Sequence, residues 1–534
     1  MTSKFYKIYL SLIIACGLTT SAQANNLSIT NVGLASRDPG TKTLVVQFDV
    51  AWNNSWRNKI NHDAIWLTVR LNNTADVITN KRLCKISTSG LNPTGSSLGT
   101  ANNLEFYVPS SDQKGALLRR SSNGNVVDVS TKGAQLTIDY SSCGFSDTDS
   151  VSVSVFGLEM VLIPQGSFYA GDGVSTAALN NSSGGPLYIN SENAIPISYP
   201  SNGNPSESKS GDNVTIPVTF PKGYNAFYAM KYKITQDQWV EFVNSLGSAA
   251  ARAHRDITDN NHKNSDSVVL RNTVSCVGST LSCSTSPIES PTALRPSRPV
   301  SFLSWMDLAA FLDWDALRPM TELEYEKMAR GPLMPVPGEY AWGTADIVAA
   351  TTISGNEDGT ETISDLNANA NFNNTTLTGG DNSPGGLSVN QSGPIRSGIF
   401  AATATSRITA GASYYGVMDL SGNLKERVVT IGNTAGLSFD AKHGDGILTG
   451  FSTDGKPLAT ITGFEGNANI ANWPGLDSTP GHGVIGASGS GFRGGSWSDT
   501  SSLLRVSDRA EAALTSTAAT GSFGGRGVRS YDGN

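Results

Sequence analysis

Between residues 26 and 156 apolar and polar positions alternate with a period of two. The stretches LVVQFDV, AIWLTVRL, LEFYV, AQLTIDY and SVSVSVF each place every second side chain on one face. Turn clusters such as Asp38-Pro39-Gly40 and Ser122-Asn123-Gly124 separate them. Short strands at this spacing predict an all-β sandwich of seven or eight strands over residues 25–156. Trp52, Trp56 and Trp66 read as part of its core rather than as sugar-stacking platforms.

From residue 157 the pattern changes. EMVLIPQGSFYAGDG predicts a strand pair, and a polar stretch rich in Asn, Ser and Gly follows it to about residue 214. Thr235 with Gln238 three residues on is a capping box, and Trp239, Phe242, Val243 and Leu246 then recur at helical spacing up to Gly247. A second helix is predicted from Ser304, with Trp305, Leu308, Ala309, Leu312 and Trp314 as its apolar set. A third runs from Thr321, with Glu324 closing the box, to Gly331. Residues 348–398 and 437–490 are Gly/Asn/Thr/Ser-rich insertions; loops of this length in a compact domain are usually functional or held by ions.

Length and charge narrow the classes. A chain of 534 residues exceeds one ordinary core, and a net charge of −7 with 16% charged residues gives nucleic acid nothing to follow. Lys4 and Lys7, an apolar run over 8–18 and Ala22-Gln23-Ala24 predict a signal peptide over residues 1–24. The alternative is a lipoprotein attached to a membrane through Cys16, which Ile13-Ile14-Ala15-Cys16 loosely fits. Both place the protein outside the cytoplasm: secreted, periplasmic or on the cell surface. Four cysteines then remain, and the simplest pairing is Cys84 with Cys143 and Cys276 with Cys283. By chain entropy these are worth about 4 and about 2.5 kcal/mol. A metal site is the alternative, but no histidine stands beside either pair at ligand spacing.

Four landmarks occur in order: Glu159-Met160-Val161 through Gly171; YAMKYKIT at 228–235; RPVSFLSWMDLAAFLDW, LRPMTELEYEKMARG and Ala341-Trp342-Gly343; and YYGVMDLSGNLKERV with the closing FRGGSW…GGRGVR. Together they resemble the formylglycine-generating enzyme (sulfatase-modifying factor) family. That resemblance implies an α+β, C-type lectin-like domain with long loops over residues 157–534, behind the all-β sandwich. It also implies an oxidase that holds Cu(I) between two cysteines. Counted from Gly494-Gly495-Ser496, those positions are Asp499 and Leu504 here, which argues against copper. The five histidines (His62, His254, His262, His443 and His482) have no ligand spacing, which argues against iron. No Gly-x-Ser-x-Gly elbow sits on a strand–helix turn, which argues against a hydrolytic triad. Calcium is the cofactor the resemblance still offers, at Asn423 and Glu426 and, more weakly, at Asn371 and Asp381. Lys425 and Arg427 replace the aromatic residues that usually flank the Glu, which predicts a more cationic neighbouring surface.

The last segment, 491–529, pairs two glycine-rich flanks around small polar residues. The fold's last strands imply a ligand surface there, made by Trp497, Ser498, Asp499, Thr500 and Ser502, and then by Asp508, Arg509, Glu511 and Phe523. Leu503, Leu504 and Val506 read as core. The layout also resembles the variable proteins of diversity-generating retroelements. The resulting expectation is an exported, non-catalytic binding or display protein whose partner is a surface protein or glycan. The sandwich would serve as stalk or adaptor. The alternatives are an oxidase or nonheme metal enzyme with displaced ligands, and a structural component of a surface assembly.

Overall fold

The computed structural model of the chain describes residues 26–533 apart from 76–80, 93–103, 182, 199–212, 287–294, 375–376, 381–391, 403, 405 and 454. The predicted leader, Cys16 and Asp381 fall outside the described residues. What is described is mostly sheet with few helices, and no helix among the described residues is long and apolar enough to cross a membrane.

The alternation read from the sequence becomes strands β1 (Ser28–Asp38), β2 (Thr43–Arg57), β3 (Asp63–Asn73), β4 (Leu104–Tyr107), β5 (Ala116–Arg120), β6 (Gly124–Asp139) and β7 (Val151–Ile163). One four-stranded sheet runs β1, β2, β6 and the short strand Lys85–Ile86. In β2 the period of two is direct: Leu44, Val46, Phe48, Val50 and Trp52 are buried. Their partners across the core are Ile65, Leu67, Val69 and Leu71 of β3, in a second sheet.

That second sheet joins the two predicted regions. Its order is Arg318–Pro319, Gly527–Ser530, β8 (Phe227–Met230), β7, β3, β5 and β4, with Arg82–Leu83 also on β3. β3 pairs with β7 without interruption from Asp63↔Val161 to Asn73↔Val151. β7 then continues onto β8 through Met160↔Met230 and Ile163↔Phe227. The predicted boundary at 156/157 therefore falls inside one strand, and the sheet passes through it unbroken.

β3 is buried on both faces because each face has a different cover. Ala64 and Trp66 point away from β2 into the core built on the helices. There the Trp66 indole donates to the Asp315 carbonyl at 3.0 Å and Thr68 donates to the Asp315 carboxylate at 2.6 Å.

The three predicted helices are α1 (Gln236–Ser245), α3 (Trp305–Trp314) and α4 (Glu322–Arg330), and each carries a complete capping box. A short α2 (Ala249–His254) lies between the first two. One local reading is corrected: the two halves of EMVLIPQGSFYAGDG do not pair with each other. EMVLI ends β7 and pairs with β3 and β8, whereas Phe168–Ala170 pairs with Leu187–Ile189. The apolar strand β8 begins 64 residues after Ile163, the end of β7, beyond any local pattern. Both disulfides form, Cys84–Cys143 and Cys276–Cys283, as expected of an extracellular protein.

A shared sheet and shared core predict one cooperative unfolding transition for the two regions. Calorimetry should give a single peak, and Trp66→Ala should lower the stability of the whole by about 3–5 kcal/mol. Two separated peaks, with only the first moved by the substitution, would contradict this.

Candidate functional site

The last segment leaves the strand Ser490–Arg493 through Gly494 and Gly495, both with left-handed φ (81° and 59°). A Cβ on Gly494 would sit 2.3 Å from the Leu420 carbonyl oxygen, so only glycine fits there. Ser496 then donates through its amide and its hydroxyl to one oxygen of Asp499, at 2.8 and 2.7 Å. The chain returns at Phe523–Gly524, beside the strand β9 (Lys425–Val429).

The segment divides into an inner and an outer side. Inside, Arg509 donates to Glu322 of α4 at 2.6 and 3.2 Å, and Arg493 donates to Glu322 at 3.0 Å and Glu326 at 2.7 Å. Arg330 completes the cluster on Glu326 at 3.1 Å. Every one of these groups is buried. Burial works against the Glu322 carboxylate, but Arg509 and Arg493 outweigh it and hold its pKa below the usual value. Outside, Ser498 and Thr500 are exposed, while Asp499, Ser502, Glu511 and Phe523 are half-buried. Trp497 is 9% exposed and its indole donates to the Gly521 carbonyl. Asp508 and Arg509 are buried, so neither faces a ligand. Their polar character suggested surface; the arginine is instead the mate of a buried carboxylate.

Lys425 and Arg427 share the outer face of β9, but they do not make it cationic. The Lys425 ammonium is held by Glu511 at 2.6 and 2.8 Å and lies 3.4 Å from Asp499. Arg427 is fully buried against the tilted ring pair of Phe492 and Phe523 and donates to the carbonyls of Leu303, Ser516 and Ala518. Burial pushes its pKa down to about 9. It anchors the 514–520 loop through that loop's backbone carbonyls.

The metal readings meet donor sets that do not suit them. Asp499 accepts from Ser496, and Leu504 is a core residue beside Val506; neither offers a thiolate to copper. Among the described residues no three His, Cys, Asp or Glu side chains converge as a metal site. His62 hydrogen-bonds Tyr228, His443 accepts from the Ser530 amide, and His262 lies between Asp259 and Asp307.

For calcium, Asn371 and Asn423 do meet: the Asn371 amide donates to the Asn423 side-chain oxygen at 3.2 Å. That oxygen also accepts from the Ile395 amide, and the Asn423 carbonyl accepts from the Trp497 amide. Glu426 is gripped through both oxygens by Arg526, at 2.7 and 3.0 Å, and by Lys233 at 3.1 Å. The Lys233 ammonium also donates to the carbonyls of Asp419 and Gly422. An oxygen cage formed at the backbone bend of Asp419, Gly422 and Asn423, all at positive φ, thus already holds a cation of the chain's own. These residues do not fit calcium.

Sequence reading missed a cleft of about 500 Å³. Its walls are α2 and the loop after it, the start of α3, the 463–485 part of the second insertion, and Thr517 and Ala519 of the last segment. His262 ties the walls together, 2.6 Å from Asp259 and 2.9 Å from Asp307. Asp307 also caps α3 and accepts from Arg255 at 2.8 Å. Burial opposes the imidazolium, but Asp307 and Asp259 together outweigh it and raise the His262 pKa to about 9.

Two predictions follow from these contacts. Chelation should leave the wild-type melting temperature unchanged, whereas Lys233→Met, which strips a buried cation from Glu426, should cost about 3–5 kcal/mol; a melting temperature that falls with chelator would contradict the fit. His262 is raised above its unfolded value of about 6.5. Its contribution is therefore complete below pH 6.5 and lost as pH rises through about 9. The stability gap between wild type and His262→Gln should shrink over that window, and a gap constant from pH 6 to 10 would refute the assignment.

Comparison with curated proteins finds no match. A family model described as the sulfatase-modifying factor enzyme 1-like domain matches residues 154–530, well over half of the chain. The matched region begins inside β7 and closes on the strand Gly527–Ser530, so it takes in α4 with its buried carboxylates and both flanks of the last segment. The chain belongs to the sulfatase-modifying factor enzyme 1-like family.

Proposed function

We propose that this protein is an exported, non-catalytic binding module of that family, with its ligand surface on the outer side of the last segment. The observation that carries the reading is the division of that segment. Its inner residues are locked into buried ion pairs, while Ser498, Thr500, Thr515 and Thr517 are exposed and Ser502 is half-buried, and the side-chain bonds Ser498, Thr500 and Ser502 make are hydroxyl contacts within the segment itself. Phe523 and the Asp499–Lys425–Glu511 cluster, two carboxylates on one ammonium, form the floor beneath them. In this reading residues 157–534 are a C-type lectin-like domain and residues 25–156 a sandwich fused to it as adaptor. The pattern also suits a diversified display segment, since exchange of outer side chains leaves the inner ion pairs alone. The partner is a protein or glycan at a surface, and the two disulfides are compatible with that location.

Copper-loaded protein incubated with a cysteine-containing sulfatase peptide should yield no aldehyde; turnover at any rate above buffer would overturn the non-catalytic reading. Replacing Ser498, Thr500 and Ser502 together by tyrosine should move stability by less than about 1 kcal/mol. A large loss of stability would show that the outer side is structural after all.

A further inference from the structure

The cleft beside the last segment has the makings of a second site. It is built largely from parts outside the recognised landmarks: α2, the 256–264 loop and the 463–485 stretch. Its connection to the last segment is explicit in the backbone. Ser516 and Ala518 turn their carbonyls to Arg427, and the alternate residues Thr517 and Ala519 line the cleft. We propose that this cleft binds a short neutral saccharide.

Charge narrows the ligand first. The two cations in the wall, Arg255 and His262, are matched by two carboxylates, Asp307 and Asp259, through direct contacts of 2.6 to 2.9 Å. No net charge is left to attract a phosphate, a sulfate or an acidic chain, and none to favour a basic one. The surface inside is mixed. Phe464 lines the cleft and is stacked from behind on His482, ring centroids 3.7 Å apart and planes within 16°. His482 is not itself part of the lining, so it fixes the Phe464 ring as a rigid apolar platform. Met306 and Ile485 extend the apolar area.

Hydroxyl-pairing groups line the same cleft. Asn261 is exposed, and the Asp259 side chain keeps 31% of its surface open, with one oxygen engaged only by Asn261 at 3.3 Å. Thr517 adds an exposed hydroxyl. A carboxylate, an amide and a hydroxyl offer acceptors and donors together, as a ring of hydroxyls requires. A sugar presents an apolar C–H face to an aromatic ring and hydroxyls to polar groups around its edge, which is the arrangement here. The volume lies in the range of small-molecule sites. The His262 and Asp307 ties hold the walls in place before a ligand arrives, which lowers the ordering cost of binding.

The test uses the full chain, a panel of neutral mono- and disaccharides, sialic acid and glucuronic acid as charged controls, and an uncharged apolar tripeptide. Titration calorimetry or saturation-transfer NMR should detect at least one neutral saccharide and none of the controls. Phe464→Ala and Asn261→Ala should each weaken that saccharide about tenfold or more. Should Phe464→Ala fail to fold, Asn261→Ala, on an exposed residue, carries the test. The tyrosine variant at Ser498, Thr500 and Ser502 should leave saccharide affinity unchanged, so failure of the outer-surface reading and failure of this one are separable. The proposal is overturned if no neutral saccharide binds, if binding survives both cleft substitutions, or if a charged sugar or the tripeptide is preferred.

Discussion

Two carboxylates on α4, Glu322 and Glu326, are sealed from water, and the architecture of the last segment follows from the need to neutralise them. A buried carboxylate without a cation is costly by several kcal/mol, and here the cations come from Arg493, Arg509 and Arg330. Arg493 and Arg509 sit near the start and the middle of the segment. Their pairing fixes the course of the chain between them before any outer side chain is considered. Arg427 does the same for the 514–520 loop through backbone carbonyls. The segment is thus held by main chain and inner side chains.

The same logic recurs one layer deeper. Lys233 and Arg526 converge on Glu426, so the bend at 419–423 is organised by internal cations. It ties β8's neighbour, the bend and the C-terminal strand into one unit. The N-terminal region joins that unit through β3 and β7, which give one face to the sandwich-like core and the other to the helices.

Much of this was legible in the chain because it is encoded locally. The capping boxes at Thr235 and Thr321 with the helix start at Ser304 and the period-two stretches are short-range patterns that form as read, and the cysteines pair in the simplest way although Cys84 and Cys143 lie 59 residues apart. The mates of buried charges were not legible. Glu426 finds Arg526 across 100 residues and Arg509 finds Glu322 across 187, and nothing in the composition of 508–511 separates a surface Asp-Arg from a buried one. The cationic surface expected of Lys425 and Arg427 fails for the same reason, since their partners come from 499, 511, 516 and 518. The cleft was hidden because it is assembled from loops distant in sequence: His262 joins the loop after α2 to α3 through Asp307, and Arg255 reaches Asn467 of the second insertion.

Central to the account is that folding depends on the inner side of the last segment and not on its outer side. Saturation mutagenesis of residues 493–523, scored by protease resistance of the displayed full chain, measures that directly. The account predicts broad tolerance at Ser498, Thr500, Ser502, Thr515 and Thr517, and near-complete intolerance at Arg493, Leu504, Val506 and Arg509. Free substitution at Arg509, or intolerance spread evenly along the segment, would contradict it.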